Sequence, residues 1–138
     1  MPAIWSAEEI VRIGEADELR IAVQRPETTL RRWVPIWVVC VGDQVYVRTW
    51  YRRDDGWYGP VLQSAEAGIR VPGLEVDVTV RDVGNDMTPE LRTGVDTAYR
   101  EKYGRYGDST VGRMVTDDAA ATTLRLIPAR STQNTENQ

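Results

Sequence analysis

Histidine is missing from all 138 residues, phenylalanine is missing too, and cysteine and lysine occur once each. Without an imidazole there is no Ser-His-Asp or Cys-His catalysis, and the commonest transition-metal ligand is gone. A site built from carboxylates alone has no recognisable loop motif in the chain. Proton chemistry therefore falls to Asp, Glu, Tyr, Lys or Cys, or to a cofactor. Cys40 can form no intrachain disulfide, and inside Val38-Val39-Cys40-Val41 it reads as a small buried hydrophobe. Lys102 falls on what reads as an exposed helix turn and gives no ground for Schiff-base chemistry. No apolar run approaches the roughly 20 residues of a membrane-spanning helix. The start, Met1-Pro2-Ala3-Ile4-Trp5-Ser6, has neither a basic region nor an apolar export segment, so a cytoplasmic home is expected. The net charge of -4 argues against broad binding to nucleic acid or to an anionic membrane.

What is present reads as one domain over 1–128, followed by a Ser, Thr, Gln and Asn-rich tail over 129–138 that is expected to be disordered. Ser6-Ala7-Glu8-Glu9 has the form of a capping box opening a short helix. Leu19, Ile21 and Val23 alternate with polar or small residues, the period of a half-buried strand. Leu30 to Val41 is nearly all apolar and reads as one strand covered on both faces, with Pro35 implying a bulge or an edge. Gly42-Asp43 turns it into a strand over Gln44–Trp50. A short helix over Trp57–Ser64, a hairpin about Pro72-Gly73, a helix from Pro89 to about Tyr103 and a strand over Thr123–Ile127 complete the series. This order implies a mainly β, α+β domain: a six-stranded antiparallel barrel with peripheral helices. Tyr99, Tyr103 and Tyr106 recur at helical spacing and read as glue between helix and barrel. Trp33 and Trp37 read as core or dimer interface.

Chemistry concentrates in Val45–Tyr58, which holds five of the chain's Trp and Tyr residues, three arginines and two aspartates. Guanidinium forks pair with phosphate or carboxylate, and flat rings stack on ring systems, so the segment suits a planar anionic ligand. Val45, Val47 and Thr49 share one strand face as ordinary core. Tyr46, Arg48 and Trp50 share the other, expected to be open to a ligand; the competing reading of Arg48 is a cross-strand ladder with aromatic and carboxylate neighbours. Arg52-Arg53-Asp54-Asp55-Gly56 reads as a charged lid or a solvated loop. As a lid, Asp54 or Asp55 would be the base and Arg52 or Arg53 the anion clamp. Trp57 and Tyr58 open the following helix and either pack it on the barrel mouth or cap a ligand.

Leu19–Val83 resembles the split β-barrel of flavin- and deazaflavin-binding proteins, such as the pyridoxamine phosphate oxidases and deazaflavin-dependent nitroreductases. The resemblance rests on Arg31-Arg32, Val34-Pro35-Ile36-Trp37, Gly42-Asp43, Tyr46-Val47-Arg48-Thr49, and Trp57-Tyr58 before Val61-Leu62-Gln63-Ser64. The chain is also similar to the uncharacterised bacterial domain-of-unknown-function family 2255, through Trp5, Arg31–Trp37 and Tyr99–Gly107. By this resemblance Arg31, Arg32, Arg48, Arg52 and Arg53 would hold a cofactor phosphate. The ring system would lie near Thr49, Trp50 and Tyr51, with Trp57 beside it, and the chain would pair as a homodimer. The nitroreductases carry glycines in the phosphate turn, whereas Thr28-Thr29-Leu30-Arg31-Arg32 has none, which keeps the backbone farther from a phosphate.

The resulting expectation is a small-molecule oxidoreductase using flavin mononucleotide or a deazaflavin. Two alternatives stand beside it. One is a cofactor-free isomerase, cyclase or hydro-lyase acting on an aromatic or polyketide-like substrate, with Tyr51, Asp54, Asp55 and Tyr58 as acid/base groups. The other is a small-molecule-binding protein without catalysis.

Overall fold

The computed structural model describes residues 4–23, 33–49 and 57–129. Helix α1 (Ala7–Glu15) begins at a complete capping box, with the Ser6 hydroxyl accepting from the Glu9 N–H and the Glu9 carboxylate accepting from the Ser6 N–H. There follow β1 (Leu19–Val23), β2 (Val34–Ile36), β3 (Val39–Val41), β4 (Gln44–Val47), α2 (Tyr58–Ser64), β5 (Glu66–Val71), β6 (Leu74–Asp82) and α3 (Pro89–Tyr103). Two short helices, α4 (Asp108–Gly112) and α5 (Asp117–Ala120), precede β7 (Leu124–Pro128). The β3–β4 and β5–β6 turns each use a glycine at positive φ, Gly42 at 62° and Gly73 at 80°, a conformation that costs other residues a steric clash.

All strands form one antiparallel sheet in the order β2-β1-β5-β6-β7-β4-β3. There are seven described strands rather than six, because the apolar run 30–41 does not continue as one strand. It breaks at Trp37-Val38 into β2 and β3, which occupy opposite edges of the sheet. In a flat sheet those edges would stand about 29 Å apart, six spacings of about 4.8 Å. Two linking residues reach about 10 Å. The sheet must therefore curl until its edges nearly meet. No ladder joins β2 to β3 among the described residues, so the sheet is open rather than closed, a curled half-barrel. Pro35 sits on edge strand β2, where its missing N–H interrupts no inner ladder.

Alternation along the strands divides the core. Val45 and Val47 join Leu19, Ile21, Ile69 and Leu126 within the curled sheet, and Trp5 enters from the N-terminus to donate its Nε1–H to the Leu126 carbonyl at 2.9 Å. Tyr46 and Val39 point the other way and pack with Val95, Tyr99, Tyr103 and Met114 beneath α3. Tyr99 and Tyr103 thus join helix to sheet, as their spacing implies, while Tyr106 stays 47% exposed.

The seam at Trp37-Val38 is fastened by the end of α3. The Tyr103 hydroxyl accepts from the Val38 N–H at 3.1 Å and donates to the Asp17 carbonyl at 2.8 Å. Its ring lies 4.1 Å from that of Trp37, nearly parallel. Lys102, expected on an exposed turn, instead donates to the Val38 carbonyl at 2.8 Å. Burial lowers its pKa, opposed by neighbouring Cys40 and Asp17. Tyr103→Phe is expected to cost about 1–3 kcal/mol, the penalty for leaving a buried N–H unpaired. Urea unfolding measures it; unchanged stability would show that the hydroxyl does not fasten the seam.

Candidate functional site

Of the residues expected to form a site, Arg31, Arg32, Trp50, Tyr51, Arg52, Arg53, Asp54 and Asp55 lie outside the described residues. Arg48, Thr49, Trp57 and Tyr58 are described, and they flank segment 50–56. Arg48 departs from the expected open face. It is 1% exposed and Tyr46 is 2% exposed, because α3 covers this side of the sheet. The alternation was read correctly, but a strand pattern cannot show that a later helix covers its second face.

Burial obliges Arg48 to find partners. Its Nη1 donates to Asp96 Oδ1 at 2.6 Å and to the Met114 carbonyl at 2.8 Å, and its Nε donates to Thr123 Oγ1 at 2.8 Å. Asp96 is shared with Arg92 at 3.5 Å, and Arg92 pairs in turn with Asp117 at 2.8 Å. Charges of alternating sign thus run from the core to the surface. The carboxylate-paired reading of Arg48 is the one the geometry supports, although the partner comes from a helix.

Thr122 and Thr123 do the local joining. Each hydroxyl donates to a carbonyl at the end of α5, Ala119 at 2.6 Å and Ala120 at 2.7 Å. Such C-terminal carbonyls lack partners within their own helix. The same hydroxyls accept from the end of β4, Thr122 from the Thr49 N–H at 3.0 Å and Thr123 from Arg48. On the far side of the segment, Tyr58 is 7% exposed in the inner core, and the half-buried Trp57 meets it edge-on at 5.6 Å. Both flanks of segment 50–56 are therefore fixed. Asp96, Thr122 and Thr123 were missed from sequence, since nothing in their spacing pairs them with Arg48. For Asp96 the only signal was the need of a buried arginine for a carboxylate, and for the two threonines there was none.

Helix α2 packs on β1, β5 and β6. Segment 24–32 follows β1, and segment 50–56 runs from the end of β4 into α2. A separate open groove of about 740 Å³ lies at the entry of β1, lined by Asp17, Arg20, Arg70 and the Pro72-Gly73 turn. Its Arg70 is held by Glu75 at 3.2 Å and lies over Trp33 at 4.2 Å. Burial raises the pKa of the Cys40 thiol, opposed by nearby Lys102. Among the described residues no cluster of His, Cys, Asp or Glu could hold a metal ion, and no helix is long and apolar enough to cross a membrane.

The bacterial family described as uncharacterised protein DUF2255 matches residues 9–126. The chain belongs to that family. Among solved structures, a candidate 5-nitroimidazole antibiotic resistance protein from Bacteroides thetaiotaomicron aligns at 15% identity and TM-score 0.60, over 93% of this chain and 82% of its own. A conserved hypothetical protein from Mycobacterium tuberculosis aligns at 13% identity and TM-score 0.55, over 94% and 84%. A pyridoxamine 5'-phosphate oxidase-like protein from Corynebacterium glutamicum aligns more loosely, at 14% identity and TM-score 0.43, over 94% and 89%. No curated protein matches. At such identities the first two likenesses establish the fold, and the resemblance read from Leu19–Val83 is of that kind.

The Arg48–Asp96 pair predicts an asymmetry. Asp96→Ala strands a buried guanidinium and is expected to cost about 3–5 kcal/mol. Arg48→Met leaves Asp96 with Arg92 and is expected to cost less. Thermal or urea unfolding of the two variants compares them; an equal or reversed order would refute the pairing as described.

Proposed function

We propose that this DUF2255 protein is a small-molecule oxidoreductase of the flavin or deazaflavin split-barrel type. The observation that carries the reading is where the two paired-arginine segments, one with Arg31-Arg32 and one with Arg52-Arg53, join the described fold. One follows β1, and the other leads into α2, which packs on β1. The fold likeness to a protein named for resistance to 5-nitroimidazoles, which are planar heteroaromatics, is consistent with a flat substrate.

Arg48 does not fit as the phosphate anchor, since its guanidinium is fully buried and held by Asp96, Thr123 and Met114. It is a positioning residue, which fixes the strand end that delivers segment 50–56. Phosphate binding then passes to Arg31, Arg32, Arg52 and Arg53, whose forks suit bidentate pairing. Trp50, Tyr51 and Trp57 would stack on the ring system, with Thr49 holding the backbone beside it. Tyr51, Asp54 and Asp55 are the groups left to hold or move a proton at the substrate, since Tyr58 is buried in the inner core. When bound, the flavin supplies the hydride chemistry. The chain's own share is to bind, orient and exclude water, and a homodimer is the proposed assembly.

The committed state of Arg48 also favours a second reading, in which the chain works without a cofactor or binds a small molecule without turnover. An absorbance spectrum of the purified protein, followed by titration with flavin mononucleotide and a deazaflavin, separates the two. The oxidoreductase reading expects micromolar binding, weakened about tenfold or more by Arg53→Ala, the scale of one charge-assisted hydrogen bond. A colourless protein that binds neither compound sinks it.

A further inference from the structure

Cross-strand register sets two arginines against each other. Arg20 on β1 lies directly opposite Arg70 on β5, which puts both side chains on one face of the sheet. Like charges that face each other destabilise a strand pair unless something neutralises them. Arg70 is matched, because Glu75 lies opposite it on β6 and reaches it at 3.2 Å. Arg20 has no such match. Its other cross-strand neighbour is Pro35 on β2, which carries no charge. Among the described residues the exposed Arg20 forms no ion pair.

Arg20 lines the open groove of about 740 Å³ at the entry of β1. That volume falls within the roughly 300–1,000 Å³ of small-molecule sites. Most charges around the groove are already committed. Asp17 is held by Arg105 at 2.7 Å, and Arg12, which lies against Gly73, is held by Glu8 at 3.1 Å. Of the charged residues lining the groove, that leaves Glu18 and Arg20. Both are exposed, and they flank the fully buried Leu19. Two residues of strand span about 7 Å, so two long side chains at this spacing can converge on one small molecule. Pro72 and Leu74 add apolar surface to the same groove.

We propose that this groove binds a small zwitterion, an α-amino acid with an apolar side chain. Its carboxylate accepts from the Arg20 guanidinium, whose fork suits bidentate pairing. Its ammonium donates to the Glu18 carboxylate, and its side chain rests on Pro72 and Leu74. Charge balance selects this class of ligand. An anion would pair with Arg20 but meet the unneutralised Glu18, and a cation would meet the reverse. No lining residue belongs to segment 24–32 or 50–56, so the site is separate from the flavin reading and does not depend on it.

Equilibrium dialysis of the full chain against radiolabelled L-leucine tests the proposal. Binding with a Kd below about 1 mM is expected. N-acetyl-leucine lacks the ammonium and leucinamide lacks the carboxylate. Each is expected to compete about tenfold or more weakly than leucine, the scale of one charge-assisted hydrogen bond. Arg20→Gln and Glu18→Gln are expected to weaken leucine binding by a similar factor with Tm unchanged, since both side chains are exposed. Absence of leucine binding overturns the proposal and leaves the two side chains to water or to each other. Equal competition by N-acetyl-leucine overturns it by making the groove a plain anion site. Unchanged binding by Arg20→Gln overturns it by placing leucine elsewhere.

Discussion

Everything in this fold follows from the distance between Ile36 and Val39. Two residues connect strands at opposite edges of a seven-stranded sheet, and only a curled sheet brings those edges within their reach. The curl creates an inside lined by aliphatic side chains and an outside on which α3 lies. The break in the ladder exposes backbone groups at Val38, and α3 satisfies them with Tyr103 and Lys102. A hydrogen-bonded closure would have needed no such fastening. An open one does, because buried amides without partners are costly.

The same helix also anchors Arg48, from its middle. Asp96 on α3 neutralises Arg48. Thr122 and Thr123 then link the end of α5 to the end of β4. The strand that enters segment 50–56 is thus held by charge, by hydroxyl relays and by packing together. The helix that leaves the segment is held by Tyr58 in the inner core. Rigid flanks of this kind suit a segment that must present side chains to a ligand, since the scaffold bears the cost of ordering its ends.

Much of this was legible in advance. The capping box at Ser6, the turns at Gly42 and Gly73, and the long helix starting at Pro89 all have local causes, and each formed where its residues indicated. The Val45/Val47 against Tyr46/Arg48 alternation was also local and correct. The single strand expected over 30–41 failed because uniform apolarity carries no register: a strand buried on both faces looks the same whether it is one piece or two. The open face expected around Arg48 failed for a related reason. Period 2 assigns residues to opposite faces but says nothing about what covers each.

The sequence by itself determined the chemistry available, without imidazole and rich in guanidinium and aromatic rings, and it determined the local elements, because capping, turn geometry and periodicity act over a few residues. Tertiary structure alone decided that β2 and β3 part to opposite edges, that Lys102 is drawn into a seam, and that Arg48 is buried against Asp96. Each of those outcomes depends on contacts between residues tens of positions apart, Arg48 with Asp96 and Val38 with Tyr103. Such pairings arise only when the sheet curls and α3 closes over it.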